Sequence, residues 1–204
     1  MNRKPIFITG IGTGVGKTLV SAILAEKLKA DYWKPIQSGD LDNSDTNTIK
    51  SLISNSISKF HPEAYRFTQP FSPHKSADLD GIKINIDDIV LPKTDNQLII
   101  EGAGGLLVPL NDTSYIIDLA SKFDADVILV VQHYLGSINH TLLSMELLSN
   151  RKINVKGYVI NGDQDNYSEQ AIKNFTNVPC LGNITKMENL DKKLIRNMVK
   201  KLSI

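Results

Sequence analysis

Residues 9–18 read TGIGTGVGKT, directly after the apolar start of PIFITG at 5–10. The ending Gly16-Lys17-Thr18 is that of a phosphate-binding loop. The usual pattern, G-x-x-x-x-G-K-[ST], places its first glycine at position 11. This chain has Ile11 there, flanked by Gly10 and Gly12. Such a loop has to follow a strand and open a helix. The run 5–10 predicts a buried strand, and Leu19, Val20, Ile23, Leu24 and Leu28 recur at helical spacing over 17–29. Glycines let backbone N–H groups turn toward an anion, and the helix start adds partial positive charge. On this reading Lys17 reaches the outer phosphates and Thr18 offers its hydroxyl to Mg²⁺. The plainer alternative is a glycine-rich turn with no ligand. The extra residue of spacing predicts a longer loop that also reaches a second substrate, with Thr13 and Gly14 nearest the transferred phosphate. The loop alone does not separate an ATPase from a kinase or a ligase.

Working outward, further apolar runs stand at 96–102 (NQLIIEG), 126–132 (DVILVVQ) and 155–161 (VKGYVIN), with a shorter one at 178–184. Helical patterns cover 114–123, 137–150, 166–175 and 190–202. ADYWKPI offers a short strand that Pro35 ends or pushes to an edge. Residues 44–54 predict a helix capped by Ser44 or Asn43, and 60–93, with four prolines, is the least regular part. Short apolar strands alternating with helices predict an α/β fold: a doubly wound, mainly parallel sheet with helices on both faces, P-loop NTPase-like, in one domain over 1–204. Ligands of such sheets bind at the carboxyl ends of the strands.

The totals narrow the function. A net charge of +1 gives no global attraction to nucleic acid or an anionic membrane. No segment has the apolar length of a membrane span, and the run after the basic start is too short for a signal peptide, so the expected compartment is the cytoplasm. One cysteine, Cys180, excludes an internal disulfide and a cysteine metal cluster; it reads as a buried bystander. His61, His74, His133 and His140 have no zinc-like spacing. The C-terminal pattern Leu190, Leu194, Ile195, Met198, Val199, Leu202 forms one apolar helical face, expected to pack on the core rather than on a membrane.

Three strand-end residues stand out. Glu101 closes QLIIEG where it meets the glycine-rich EGAGG, a place from which a carboxylate can hold Mg²⁺ opposite Thr18. Asp45, from spacing alone, is a helix-start carboxylate that supports its own helix. Lys34 follows a short strand beside the phosphate loop; a solvated surface lysine and a functional cation are both open at this point.

Several segments together resemble one family, the dethiobiotin synthetases. They are TGIGTGVGKT (9–18), WKPIQSG (33–39), NSD (43–45), FSPHKSA (71–77), EGAGGLLVPL (101–110), LGSINHTLL (135–143) and GYVIN (157–161). The resemblance implies a homodimeric ligase that uses ATP, Mg²⁺ and CO2 to close a cyclic urea on 7,8-diaminononanoate. It implies Lys34 as the catalytic lysine and Lys17 as a catalytic and phosphate-binding one. It implies a nucleotide site formed by Thr13, Gly14, Val15, Gly16, Lys17, Thr18, Leu19, Asp45, Glu101, Gly102, Ala103, Gly104 and Asn161, with Asn161 reading adenine. Thr18, Asp45 and Glu101 are the implied Mg²⁺ ligands. Thr13, Lys34 and Ser38 contact the diamine substrate, and Gly136, Ser137 and Asn139 bind its carboxylate tail from the other subunit. The chain departs from the family at Gly14, where an acid is common, and at Thr185-Lys186, where Pro-Trp is common. The second departure bears on nucleotide-base preference. The partition and cell-division ATPases, a related class, carry a second lysine five positions before the loop lysine; Gly12 stands there in this chain.

Overall fold

A computed structural model describes residues 3–185, 187 and 189–204. The chain runs β1 (Ile6–Gly10), α1 (Lys17–Leu28), β2 (Asp31–Trp33), β3 (Ile36–Ser38), α2 (Asp45–Leu52), β4 (Phe60–His61), β5 (Tyr65–Phe67) and α3 (Pro73–Leu79). It continues β6 (Leu98–Gly105), α4 (Ile116–Lys122), β7 (Asp126–Val131), α5 (Ser137–Asn150), β8 (Val155–Asn161), α6 (Asn166–Phe175), β9 (Cys180–Ile184) and α7 (Lys192–Met198). Seven strands form one sheet in the order β4-β2-β6-β1-β7-β8-β9, and each adjacent pair is parallel.

The central strands are apolar on both faces because helices cover both. Ile6, Ile8, Ile99, Ile128, Val130 and Val159 face one core, against α1, α2 and α7. Phe7, Leu98, Ile100 and Val127 point the other way, toward α4 and Leu148 of α5. Leu129, Val131, Tyr158 and Ile160 continue that second face against α5 and α6. The period of two along each strand sets this division. Ile195, Met198 and Leu202 of the C-terminal segment pack into the first core, as the amphipathic pattern predicts. Lys27 of α1 donates to the carbonyls of Val199 and Leu202 and ties that segment down.

The expectation for 60–93 as the least regular part holds, and two others need correction. The irregular stretch 60–93 contains β4, β5 and α3. Its strands have only two and three residues, too short for a periodic signal. Pro35 ends β2, and the chain then pairs β3 with β5 in a separate two-stranded sheet. Next, EGAGG is not a loop: β6 continues through Gly105. Its pairing passes from Ile8↔Glu101 to Gly10↔Gly105, so β6 takes four steps where β1 takes two. The bulge brings Ala103 and Gly104 to the phosphate-loop side, beside Thr13. Finally, Cys180 is exposed, at the start of the edge strand β9.

Candidate active site

The phosphate loop leaves the carboxyl end of the central strand β1. Ile11 is still anchored to the sheet, its N–H donating to the carbonyl of Val130 at 3.1 Å. The free loop therefore begins at Gly12, and Ile11 is the additional residue of the long spacing. Gly10 cannot carry a side chain, since a Cβ would lie 2.5 Å from Val15 Cγ2; Val15 itself is buried and plugs the loop into the core. Gly16, at φ 97°, is the N-cap of α1. A Cβ on Gly16 would meet the Asn161 amide at 2.1 Å. Asn161, at the end of β8, donates to the carbonyl of Val15 at 3.0 Å and so clamps the loop from the neighbouring strand. The first intrahelical bond runs from Val20 N–H to the carbonyl of Gly16, which leaves the N–H groups of Lys17, Thr18 and Leu19 without helical partners, aimed at the loop.

Four charged or hydroxylic residues from different elements converge beside that loop. Glu101 shares the face of Ile99, the α1 face, and is 1% exposed. Thr18 Oγ1 lies 2.6 Å from Asp45 Oδ1 and 3.0 Å from Glu101 Oε1. Lys34 Nζ lies 2.5 Å from Asp45 Oδ2 and 3.4 Å from Glu101 Oε1. Tyr32, on the same strand as Trp33 and just ahead of Lys34, donates its hydroxyl to Glu101 Oε2 at 3.0 Å. Lys17 Nζ folds back onto the carbonyl of Gly12 at 3.0 Å. Asp45 is both a helix-start residue and a member of this cluster. Ser44 caps α2 by accepting from Asn47 N–H, and Thr46, next to Asp45, donates to Glu63 at 2.6 Å. The helix start is thereby held against the segment that follows β4.

The electrostatics divide the two lysines. Burial alone would lower the Lys34 pKa, but the Glu101 and Asp45 carboxylates outweigh it and raise it above the ordinary lysine value. The two carboxylates therefore favour the charged form of Lys34. Burial dominates at Lys17 and brings it down to about 8, against the pull of Glu101. Burial opposes ionisation of Asp45, yet Lys34 and the Thr18 hydroxyl hold it below the usual carboxylate range. Burial and the Glu101 charge push Tyr32 far above the ordinary phenol value, so its hydroxyl stays a donor.

One test of a metal lies in the donor set. Thr18 has a single hydroxyl proton and faces two carboxylates, so one of its two short contacts always lacks a proton. Three hard oxygens, Thr18 Oγ1, Asp45 Oδ1 and Glu101 Oε1, are left converging on one point. That set fits Mg²⁺, which binds through few protein oxygens plus water and phosphate. Among the described residues no group of three His, Cys, Asp or Glu forms a metal cluster, and Mg²⁺ of this kind needs none.

A cleft of about 600 Å³ opens over these groups. Thr13, Gly14, Gly16, Lys17, Thr18, Lys34, Ser38, Asp45, Glu101, Ala103 and Gly104 all line it. Sequence reading missed its far wall, where Gln37 of β3 and Asp40 just after it meet residues 70–73, which follow β5. The FSPHKSA segment was the available signal for that wall. Tyr32 was also missed, since in the sequence it is one more aromatic in a strand. Gly136, Ser137 and Asn139 do not line the cleft. They open α5, beside a second groove of about 780 Å³ lined by Leu106, Leu107, Pro109, Leu143 and Leu147, which shares Thr13 with the cleft. Val15, Leu19, Gly102 and Asn161 support the loop and strand from behind rather than line the cleft. Thr185 is exposed, and Lys186 lies outside the described residues.

Comparison with known proteins places the chain. Residues 4–193 match a family model described as an AAA domain. An ATP-dependent dethiobiotin synthetase of Christiangramia forsetii is 52% identical over 198 residues, spanning 97% of this chain and 95% of that protein. The chain belongs to the dethiobiotin synthetase family. A second dethiobiotin synthetase, from Cytophaga hutchinsonii, is 50% identical over 200 residues, spanning 98% of this chain and 97% of that one. Among solved structures, the septum site-determining protein MinD of Pyrococcus horikoshii, complexed with Mg-ADP, superposes with a TM-score of 0.56. It is 14% identical and covers 98% of this chain and 86% of that one. That likeness is one of fold, and it agrees with the doubly wound parallel sheet. No helix of the described residues is long and apolar enough to cross a membrane.

Proposed function

We propose that this dethiobiotin synthetase family member is an ATP- and Mg²⁺-dependent ligase. It carboxylates 7,8-diaminononanoate with CO2 and closes the ring of dethiobiotin, in the biotin pathway. The observation that carries the reading is the convergence of Lys34, Thr18, Asp45 and Glu101 beside a phosphate loop, under a cleft with room for both nucleotide and diamine.

In this reading one substrate amine attacks CO2 and loses a proton, giving a carbamate. A carbamate oxygen attacks the γ-phosphorus of ATP and ADP leaves, giving a carbamic-phosphoric anhydride. The second amine attacks the carbamoyl carbon, phosphate departs, and the amine proton is released as the cyclic urea forms. Negative charge gathers between the carbamate and the γ-phosphoryl group. Lys34 serves there as a cation, held protonated by Glu101 and Asp45. Lys17 swings from the carbonyl of Gly12 to the phosphates, where the anion favours its charged form. Thr18, Asp45 and Glu101 would hold Mg²⁺, which supplies charge neutralisation on the phosphates. Holding both amines beside one carbonyl makes ring closure intramolecular, worth on the order of several kcal/mol. Thr13 and Ser38 contact the diamine, and Ser38 Oγ has no partner among the described residues. Ala103 and Gly104 line the phosphate side with Gly102 behind them, and Asn161, while it clamps the loop through Val15, is the residue assigned to the adenine.

A homodimer completes the site. Gly136, Ser137 and Asn139 open α5 outside the cleft of their own chain, and a second copy seated in the adjoining apolar groove would bring its α5 to the diamine's carboxylate. Exposed Leu107 and Leu143 on that groove support this arrangement. The deciding experiment is ADP release with ATP, Mg²⁺ and bicarbonate, with and without 7,8-diaminononanoate, and mass spectrometry for the cyclic urea. Diamine-dependent release with that product is expected. ATP turnover indifferent to the diamine would move the chain to the switch ATPases whose fold it shares.

A further inference from the structure

Tyr32 is wholly buried in β2, its ring tilted against Phe60 at a centroid distance of 6.0 Å. A phenylalanine would fill the same volume, so packing does not account for the hydroxyl. That hydroxyl lies 3.0 Å from Glu101 Oε2, while the other oxygen, Oε1, meets Thr18 and Lys34. A carboxylate held on one side by a donor presents its remaining oxygen in one orientation. Partners behind a ligand tune metal sites in this way, and their loss costs about 10–100-fold in metal affinity. The geometry points to Tyr32 as a positioning residue of the metal site: its hydroxyl fixes Glu101 so that Oε1 faces Thr18, and thereby sets Mg²⁺ affinity. The inference rests on the metal reading given above.

The test is calorimetric titration of ADP with and without Mg²⁺, reading the ratio of the two affinities. Tyr32→Phe is expected to keep the Mg²⁺-free affinity and to shrink the ratio by about tenfold. A ratio equal to the native one overturns the inference, including the case where both affinities fall together through loss of structure. Glu101→Gln, titrated in parallel, separates the two readings. If it loses the Mg²⁺ effect and Tyr32→Phe does not, only the role of Tyr32 fails. If Glu101→Gln keeps the effect, the metal reading fails and this inference falls with it. Should Tyr32→Phe not fold, 3-fluorotyrosine placed at position 32 gives a second reading by fluorine NMR. Its resonance is expected to move when Mg²⁺ joins the ADP complex, and a resonance unmoved by Mg²⁺ overturns the inference.

Discussion

Lys17 and Lys34 bring the same charge into one cleft in different states, and the difference has consequences. Lys34 is paired with two carboxylates and stays protonated. Its loss removes a fixed cation at the place where negative charge develops; Lys34→Ala is expected to lower kcat by about 10²–10³-fold. A near-normal rate in a folded variant would remove it from the mechanism. Lys17 has only a carbonyl partner among the described residues, and burial brings its pKa to about 8. Its folded pKa is lowered, so the charged form is the one depleted as pH rises through that value. Phosphate binding needs the charged form, so ADP affinity is expected to hold below about pH 8 and to fall above it. Calorimetry across that range checks this, and a flat profile would assign the phosphate contact to backbone N–H groups alone. The residue types at both lysines were readable in the sequence. Their different protonation was not, because it depends on which carboxylates fold against each one.

At the scale of elements, the phosphate loop is held by β8 as much as by β1. The Asn161 amide bonds the carbonyl of Val15 and fills the space beside Gly16. Gly16→Ala combines a side chain at φ 97° with a clash against that amide, and is expected to cost about 1–3 kcal/mol and to abolish ADP binding. Asn161→Ala removes one buried hydrogen bond, a loss of about 1 kcal/mol, and is expected to weaken ADP binding about tenfold by loosening the loop. Thermal melts and ADP titrations of the two variants check both. Strand β1, helix α1 and the turn between them were legible because their signals are local: an apolar run, glycines, then helical spacing. The bulge in β6 was not. EGAGG reads as a loop, and only pairing with β1 shows that it remains strand.

At the scale of the whole molecule, the cleft sits at the carboxyl ends of β1, β2 and β6, closed by residues 70–73, while the α5 start lies off to one side. The proposed dimer, joined through the groove between 105–109 and α5, would unite the two. Leu143→Glu, at an exposed position of that groove, is expected to give a monomer by sedimentation. It is also expected to raise the KM for the diamine at least about tenfold while leaving ADP affinity unchanged. An active monomer with native KM would show that one chain holds the entire site. The sequence by itself determined the parallel α/β order, the phosphate loop and the family, because each is written in contiguous patterns of a few residues. The family resemblance implied that Thr18, Asp45 and Glu101 share a site with Lys34; the tertiary structure alone decided the contacts by which they meet, that Tyr32 stands behind Glu101, and that Asn161 clamps the loop. These contacts join residues 11 to 146 positions apart, and no local periodicity encodes which strand ends fold together.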